Sequence, residues 1–296
     1  MIAAMSVFKG LFDSTLFGAA CTGSLALAVL IFGWGKSAES AEPVYYTLAY
    51  KADGVNIIIE INGVPVSQGD FEFSGSGQTP VNVWLKPGKN IMTVKLKNLT
   101  GKKQDVQTFK VFLSKAKEGQ YPDAGEMLTK FEWNSDTSKE KLPLQKKLEF
   151  TPQPVPELEI WTKAEVLTLN PETEKGAKEF LQVLHQAHVK KDINKIAELM
   201  EFKSGEYDRA EFKKPEGMSS IKKGLKEFMN HLKSSKAEYK PIDLTTIKLN
   251  LVADGRVILV TDKDGKDPIV ATASDGGDFF MPVYLAHIGG KWVLAR

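Results

Sequence analysis

Four histidines and a handful of aromatic side chains are the residues whose chemistry needs placing first. His185 and His188 stand one helical turn apart in "FLQVLHQAHVKK", and His287 lies in "VYLAHI". Helical spacing puts His188 within the apolar stripe of Phe180, Leu181, Leu184 and Ala187, with His185 at its edge. On an alternating strand His287 shares a face with Val283 and Leu285. A pocket holding His188 and His287 would offer an acid–base pair, because an unperturbed imidazole titrates near 6.5. The competing reading is two core histidines that only pack and hydrogen-bond. Neither a cysteine partner nor an HExxH arrangement accompanies them, so no metal site is expected. Trp84 and Tyr284 are the aromatic candidates for ligand contact. In "VNVWLKPGKN", strand alternation turns Trp84 to the face opposite Val81, Val83 and Leu85, where an outward indole could stack on a sugar or dock a protein; the commoner outcome for so large an apolar side chain is cover by a neighbouring loop.

Other chemistry is missing. No GxxxxGK[ST] loop or dinucleotide fingerprint occurs, so no cofactor is expected. "DKDGKD" (Asp262–Asp267) lies between two strand-like stretches and reads as a hairpin turn, since the bidentate Glu of a calcium loop does not follow at the required spacing. Net charge is +2, and only three of the 39 basic residues are arginines, at 209, 256 and 296. Nucleic-acid readers depend on arginine forks, so a lysine-dominated, balanced surface argues against that class. The single cysteine, Cys21, excludes an intramolecular disulfide.

The elements that must position these side chains begin with an uncharged run, "STLFGAACTGSLALAVLIFGWG", residues 14–35. As a helix these residues would cover about 33 Å, against roughly 30 Å for a bilayer core. A cleaved signal peptide is the alternative, but its apolar stretch is usually shorter. Positive charge lies on the N-terminal side of the run, which favours a cytoplasmic N-terminus and an exported bulk. Residues 1–42 are therefore expected to form a membrane anchor and short linker.

Residues 43–170 read as an all-β sandwich. "VYYTLAYKA", "VNIIIEI", "VNVWLK", "NIMTVKLKNL" and "VQTFKVFLS" are rich in β-branched and aromatic residues, and turn chemistry punctuates them. Asn62-Gly63 suits a tight hairpin turn, and Pro87-Gly88 suits a turn joining Val81–Lys86 to Asn90–Leu99. "KFEWNS" and "KKLEFTP" are further strand candidates, and "LEIWTKAEVLTLN" is strand-like enough to close the sandwich. The stretch 44–113 loosely resembles jelly-roll and immunoglobulin-like envelope modules, a likeness that brings no ligand residues.

Residues 171–296 change period. Helices are expected through "PETEKGAKEFLQVLHQAHV", after a cap at Asp192, and through "SIKKGLKEFMNHLKSS". Strands are expected at "IDLTTIKLNLV", "RVILVTD", "PIVATASD", "FFMPVYLAHI" and "KWVLA". Helices followed by an antiparallel meander form an α+β layout. The helix "FLQVLHQAHVKKDINKIAELM" and the hairpin "VYLAHIGGKWVLAR" resemble the nuclear transport factor 2-like (SnoaL-like) superfamily. That resemblance implies an α+β cone, helices packed on a curved antiparallel sheet, with Trp292 packing onto the sheet. It also implies either a pocket for isomerase-type chemistry or a binding and dimerising role. Fold alone does not choose between them.

The sequence thus leads to a multidomain, membrane-anchored, exported binding or scaffold protein of the cell envelope with a protein partner or a second copy of itself. The alternatives are a small-molecule isomerase or hydrolase using His188 and His287, and a glycan-binding module using an exposed Trp84.

Overall fold

The computed structural model describes residues 43–101 and 106–296. The expected membrane span at 14–35 lies outside the described residues. Among those described, no helix is long and apolar enough to cross a membrane. The described residues are largely β, with four antiparallel sheets, and their helices come late.

Eight strands come first: β1 (Val44–Asp53), β2 (Val55–Ile61), β3 (Val64–Phe71), β4 (Gly75–Pro80), β5 (Asn90–Asn98), β6 (Thr108–Lys117), β7 (Glu126–Asn134) and β8 (Leu144–Phe150). They form two sheets, in the orders β4-β1-β6-β7 and β3-β2-β5-β8. Alternation explains the layering. In β2, Val55, Ile57, Ile59 and Ile61 are buried while the residues between them are only partly covered. Tyr46, Leu48, Val111 and Leu113 from one sheet meet Ile57, Ile59, Val94 and Leu96 from the other in a single core. Each such side chain contributes roughly 1.5–3 kcal/mol on leaving water. The β2–β3 hairpin turns on Asn62 (φ 51°) and Gly63 (φ 80°), the two positive φ angles that the Asn-Gly pair predicts. β7 and β8 occupy the stretches around "KFEWNS" and "KKLEF".

One expected strand is not there. Val81–Lys86 does not pair with Asn90–Leu99; Asn82–Trp84 is a single 3-10 turn, and the strand before it is β4. The reason is Asn82. Its side chain takes the Tyr46 amide and donates to the Val44 carbonyl, satisfying main-chain groups that a strand would have bonded by its own backbone.

The rest of the chain comprises helix α1 (Glu159–Lys163), helix α2 (Pro171–Val189), helix α3 (Ile193–Ala210) and helix α4 (Met218–Ser234), then seven strands. These are β9 (Glu238–Tyr239), β10 (Lys248–Val252), β11 (Val257–Thr261), β12 (Ile269–Thr272), β13 (Asp278–Met281), β14 (Val283–Ile288) and β15 (Lys291–Leu294). Caps set the helix starts. Asn170 accepts from the Thr173 amide at 2.9 Å with Pro171 in the first turn, and Asp192 accepts from the Lys195 amide at 3.0 Å. Leu181 and Leu184 of α2, Ile196 of α3 and Leu225, Phe228 and Leu232 of α4 pack on Ile258, Val260, Val283 and Leu285.

"FFMPVYLAHI" divides at Pro282. β13 joins the sheet β13-β12-β9, while β14 joins β10-β11-β14-β15. A proline has no amide to give a ladder, so the chain changes sheets there. "IDLTTIKLNLV" is strand only from Lys248 to Val252. "LEIWTKAEV" is not a strand either: it makes the single turn of α1 and then an extended strap. Ala164 bridges Ile288, and the Leu167 amide donates to the Gly255 carbonyl at 2.8 Å, so the strap lies on the later sheet. Trp292 wedges between His287, 5.3 Å away ring to ring, and Gly176 of α2. The core of the first module continues into Ala210, Val252, Val257, Ala286 and Ala295, so the two modules share apolar packing.

Candidate functional site

The polar centre of the molecule lies where the modules meet. Asn82 begins it: besides its bonds to Val44 and Tyr46, its amide donates to the Ala210 carbonyl at 2.9 Å. The 3-10 turn is thereby pinned against the end of α3, and it presents the Val83 carbonyl and the Trp84 ring to the second module. Arg296, only 1% exposed, meets both. Its Nη2 donates to the Val83 oxygen at 2.5 Å, its Nη1 donates to the Ala295 oxygen at 2.7 Å, and its guanidinium lies 5.0 Å from the Trp84 ring centroid. The Trp84 ring in turn lies 5.1 Å from that of Tyr284, whose hydroxyl donates to the Pro65 carbonyl at 3.4 Å.

The two aromatic candidates are therefore brought together, but as partners of each other. Trp84 is 6% exposed. The expectation of an outward indole is corrected: the alternation argument assumed a strand, and the 3-10 turn rolls the ring inward. A glycan-stacking platform at Trp84 falls with it.

Glu206 balances the centre. It has no exposed surface and accepts from the Glu159 and Ile160 amides (2.8 and 3.1 Å), from Arg209 Nη1 (3.3 Å) and from Arg296 (3.5 Å). Its carboxylate so fastens the start of α1 to α3. Arg209 Nη2 closes the ring with Glu159 at 2.8 Å. A buried carboxylate with four donors is satisfied, whereas a buried charge left alone would cost several kcal/mol. Arg296 is less complete. Its Nε is buried with no hydrogen-bond partner, and burial pulls its pKa down while Glu206 opposes the shift.

Beside it two cations share one aromatic ring. Lys203 and Tyr207 stand one turn apart on α3; Lys203 Nζ lies 6.0 Å and the Arg296 guanidinium 5.9 Å from the Tyr207 ring centroid. Tyr207 retains 41% of its accessible surface, and desolvation by the protein around its hydroxyl raises that group's pKa. Burial lowers the Lys203 pKa to about 8, the Arg296 charge adds to that, and Asp267 opposes it. Asp267 is itself raised by burial. No carboxylate of the described residues comes within ion-pair distance of Lys203. Two cations against one aromatic ring, one of them unpaired, can hold an anion in place.

The histidine pair is not assembled. His188 is buried at the C-terminal end of α2, its Nδ1 3.0 Å from the Tyr239 hydroxyl, and burial lowers its pKa to about 4. His287 lies at the opposite end: its ring contacts Trp292, which packs on Gly176 near the start of α2. Gly176 and His188 are separated along the helix by about 18 Å. The His287 Nδ1 pairs with Glu165 at 2.9 Å, and that hydrogen bond holds the Glu165 carboxyl below its usual range. Each histidine has its own partner, and no acid–base couple forms. Among the described residues no three His, Cys, Asp or Glu side chains converge as metal ligands.

Sequence reasoning missed Asn82, Lys203, Glu206 and Arg296. One signal was available. All three arginines act at this seam or on its strap, Arg256 donating to the Ala164 carbonyl at 2.5 Å. In a chain that uses lysine for its surface, an arginine marks a place where a planar, weakly hydrated fork is needed. No family model, curated protein or solved structure matches this chain.

Proposed function

We propose that this is a membrane-tethered, exported binding or scaffold protein of the cell envelope, built as an N-terminal span, a β-sandwich and a nuclear transport factor 2-like α+β cone. The uncharged run at residues 14–35 supplies the tether. One observation carries the scaffold part: the Arg296–Val83–Trp84 junction and the shared core make the two modules a single stiff body. A scaffold needs recognition surfaces held in fixed relative positions, and an apolar, hydrogen-bonded junction provides that where a flexible linker would not. Because His188 and His287 each have a separate partner, the scaffold reading is preferred to that of a small-molecule isomerase or hydrolase.

Fractionation of source cells tests the tether. The full chain is expected in membranes after carbonate washing, with its bulk cleaved by protease added from the exported side. Recovery of the intact chain in the cytosolic fraction would overturn the proposal.

A further inference from the structure

Four strands form the open edges of the first module's two sheets: β4, β7, β3 and β8. Exposed edges present unpaired amides and carbonyls, and proteins guard them with charge, proline or bulges. β3 carries Pro65 and Asp70, β7 carries Glu126, Lys130 and Glu132, and β8 carries Lys146, Lys147 and Glu149. β4, "GSGQTP", has no charged residue, and its one proline, Pro80, stands at its last position, leaving Gly75–Thr79 unguarded. Its main chain pairs with β1 and with nothing else among the described residues. Packing explains its glycines: a Cβ on Gly75 or Gly77 would come within 2.5 Å of the Phe71 or Tyr50 ring. Packing does not explain the neutrality of Ser76 and Gln78, which are exposed on the other face.

That face has a definite chemistry. Cross-strand register sets Ser76, Lys51, Lys110 and Glu132 in one row, and Gln78, Ala49, Phe112 and Lys130 in the next. Lys110 pairs with Glu132 at 3.3 Å, whereas Lys51 and Lys130 have no ion-pair partner among the described residues. Glu132 balances Lys110, so the charge left unmatched in that row is that of Lys51. Over these rows runs an open groove of about 760 Å³, floored by Phe112 and walled by the 80%-exposed Tyr121, with Asp123 its one carboxylate.

We propose that β4 accepts an extended, acidic segment of a partner protein as a fifth strand, with an acidic side chain reaching Lys51 of β1 across β4. Strands lie about 4.8 Å apart, so the added strand would run roughly 10 Å from β1, a span that a lysine and a glutamate side chain bridge together. Main-chain bonds to β4 supply the affinity, and Lys51 selects for acid. The inference deepens the scaffold reading by naming the partner's chemistry, and it rests on that reading.

The test uses the full chain in detergent micelles and a fluorescein-labelled nonapeptide of alternating glutamate and valine, read by anisotropy. Saturable binding is expected, and Lys51→Glu should weaken it ten-fold or more. Gln78→Glu, a change at an exposed side chain, should weaken it as well. The same peptide N-methylated at alternate amides keeps its charge and should lose binding. Thermal unfolding of each variant confirms that the fold is retained. Equal binding of the methylated peptide, absence of binding, or tighter binding of a lysine–valine peptide overturns the proposal. So does self-association of the protein through β4 that displaces the peptide. If the peptide fails while the chain still fractionates with membranes, the β4 assignment falls and the tethered reading stands.

Discussion

The Arg296 guanidinium lies over the Trp84 ring, 5.0 Å from its centroid, and donates to the carbonyl of the neighbouring Val83. One residue of the second module thus grips both the main chain and the side chain of a single turn in the first. Arg296→Met keeps apolar length but removes the fork, leaving Glu206 one cation short. A loss of about 3 kcal/mol is expected in urea unfolding, with the single transition separating into two. Trp84→Leu should cost a similar amount by leaving a cavity. Because the two side chains act together, the double variant should lose clearly less than the sum. Additive losses would mean the junction is not a unit.

The surroundings of Lys203 predict a lysine that titrates early. Lys203 is expected to lose its proton near pH 8. Asp267 raises the Lys203 pKa, so Asp267→Asn should lower it further. NMR titration of reductively methylated, carbon-13-labelled lysines reads both values. A Lys203 midpoint near 10 would contradict the buried environment.

His188 makes stability depend on acidity. Folded, it stays neutral until about pH 4, because burial disfavours the charged ring. Unfolded, it takes a proton near its ordinary 6.5. The unfolded chain therefore binds more protons between those values, and stability falls as pH drops from 6.5 to 4, by up to about 3 kcal/mol. Above pH 6.5 this histidine contributes no slope. Urea midpoints of the parent and of His188→Gln should diverge in dependence only inside that window. Parallel curves there would rule out the buried neutral ring.

Gly176 is chosen by Trp292. A Cβ at position 176 would lie 2.3 Å from the indole Nε1, so α2 reaches β15 only without a side chain there. Gly176→Ala should destabilise by roughly 1–3 kcal/mol despite alanine's better helix propensity. Combining it with Trp292→Leu should recover part of the loss. A stabilised Gly176→Ala protein would show that the contact yields easily.

What could be read from the sequence was local. Asn62-Gly63, the Asp192 cap and the Gly289-Gly290 turn each carry their instruction within a few residues, and each forms as expected. The Val81–Leu85 stretch was misread because its conformation is set from far away. Asn82 bonds Ala210 at a separation of 128 residues, and alternation in five residues carries no trace of that. The same holds for the site. His188 was correctly placed on the buried face of its helix, but nothing nearby reveals that Tyr239 occupies its Nδ1. Pro282 was visible and underweighted: a proline within a ten-residue apolar run was a sufficient reason to divide it.

The 213 residues between Val83 and Arg296 have a consequence for biogenesis. At ribosomal speeds of roughly 5–20 residues per second, that distance represents about 10–40 s of translation. During that interval all eight early strands are available to fold, yet the Trp84 indole has no guanidinium above it and no Tyr284 beside it. The nascent chain therefore displays a sticky aromatic spot on an otherwise finished module, and it is there that a holding chaperone would have its grip.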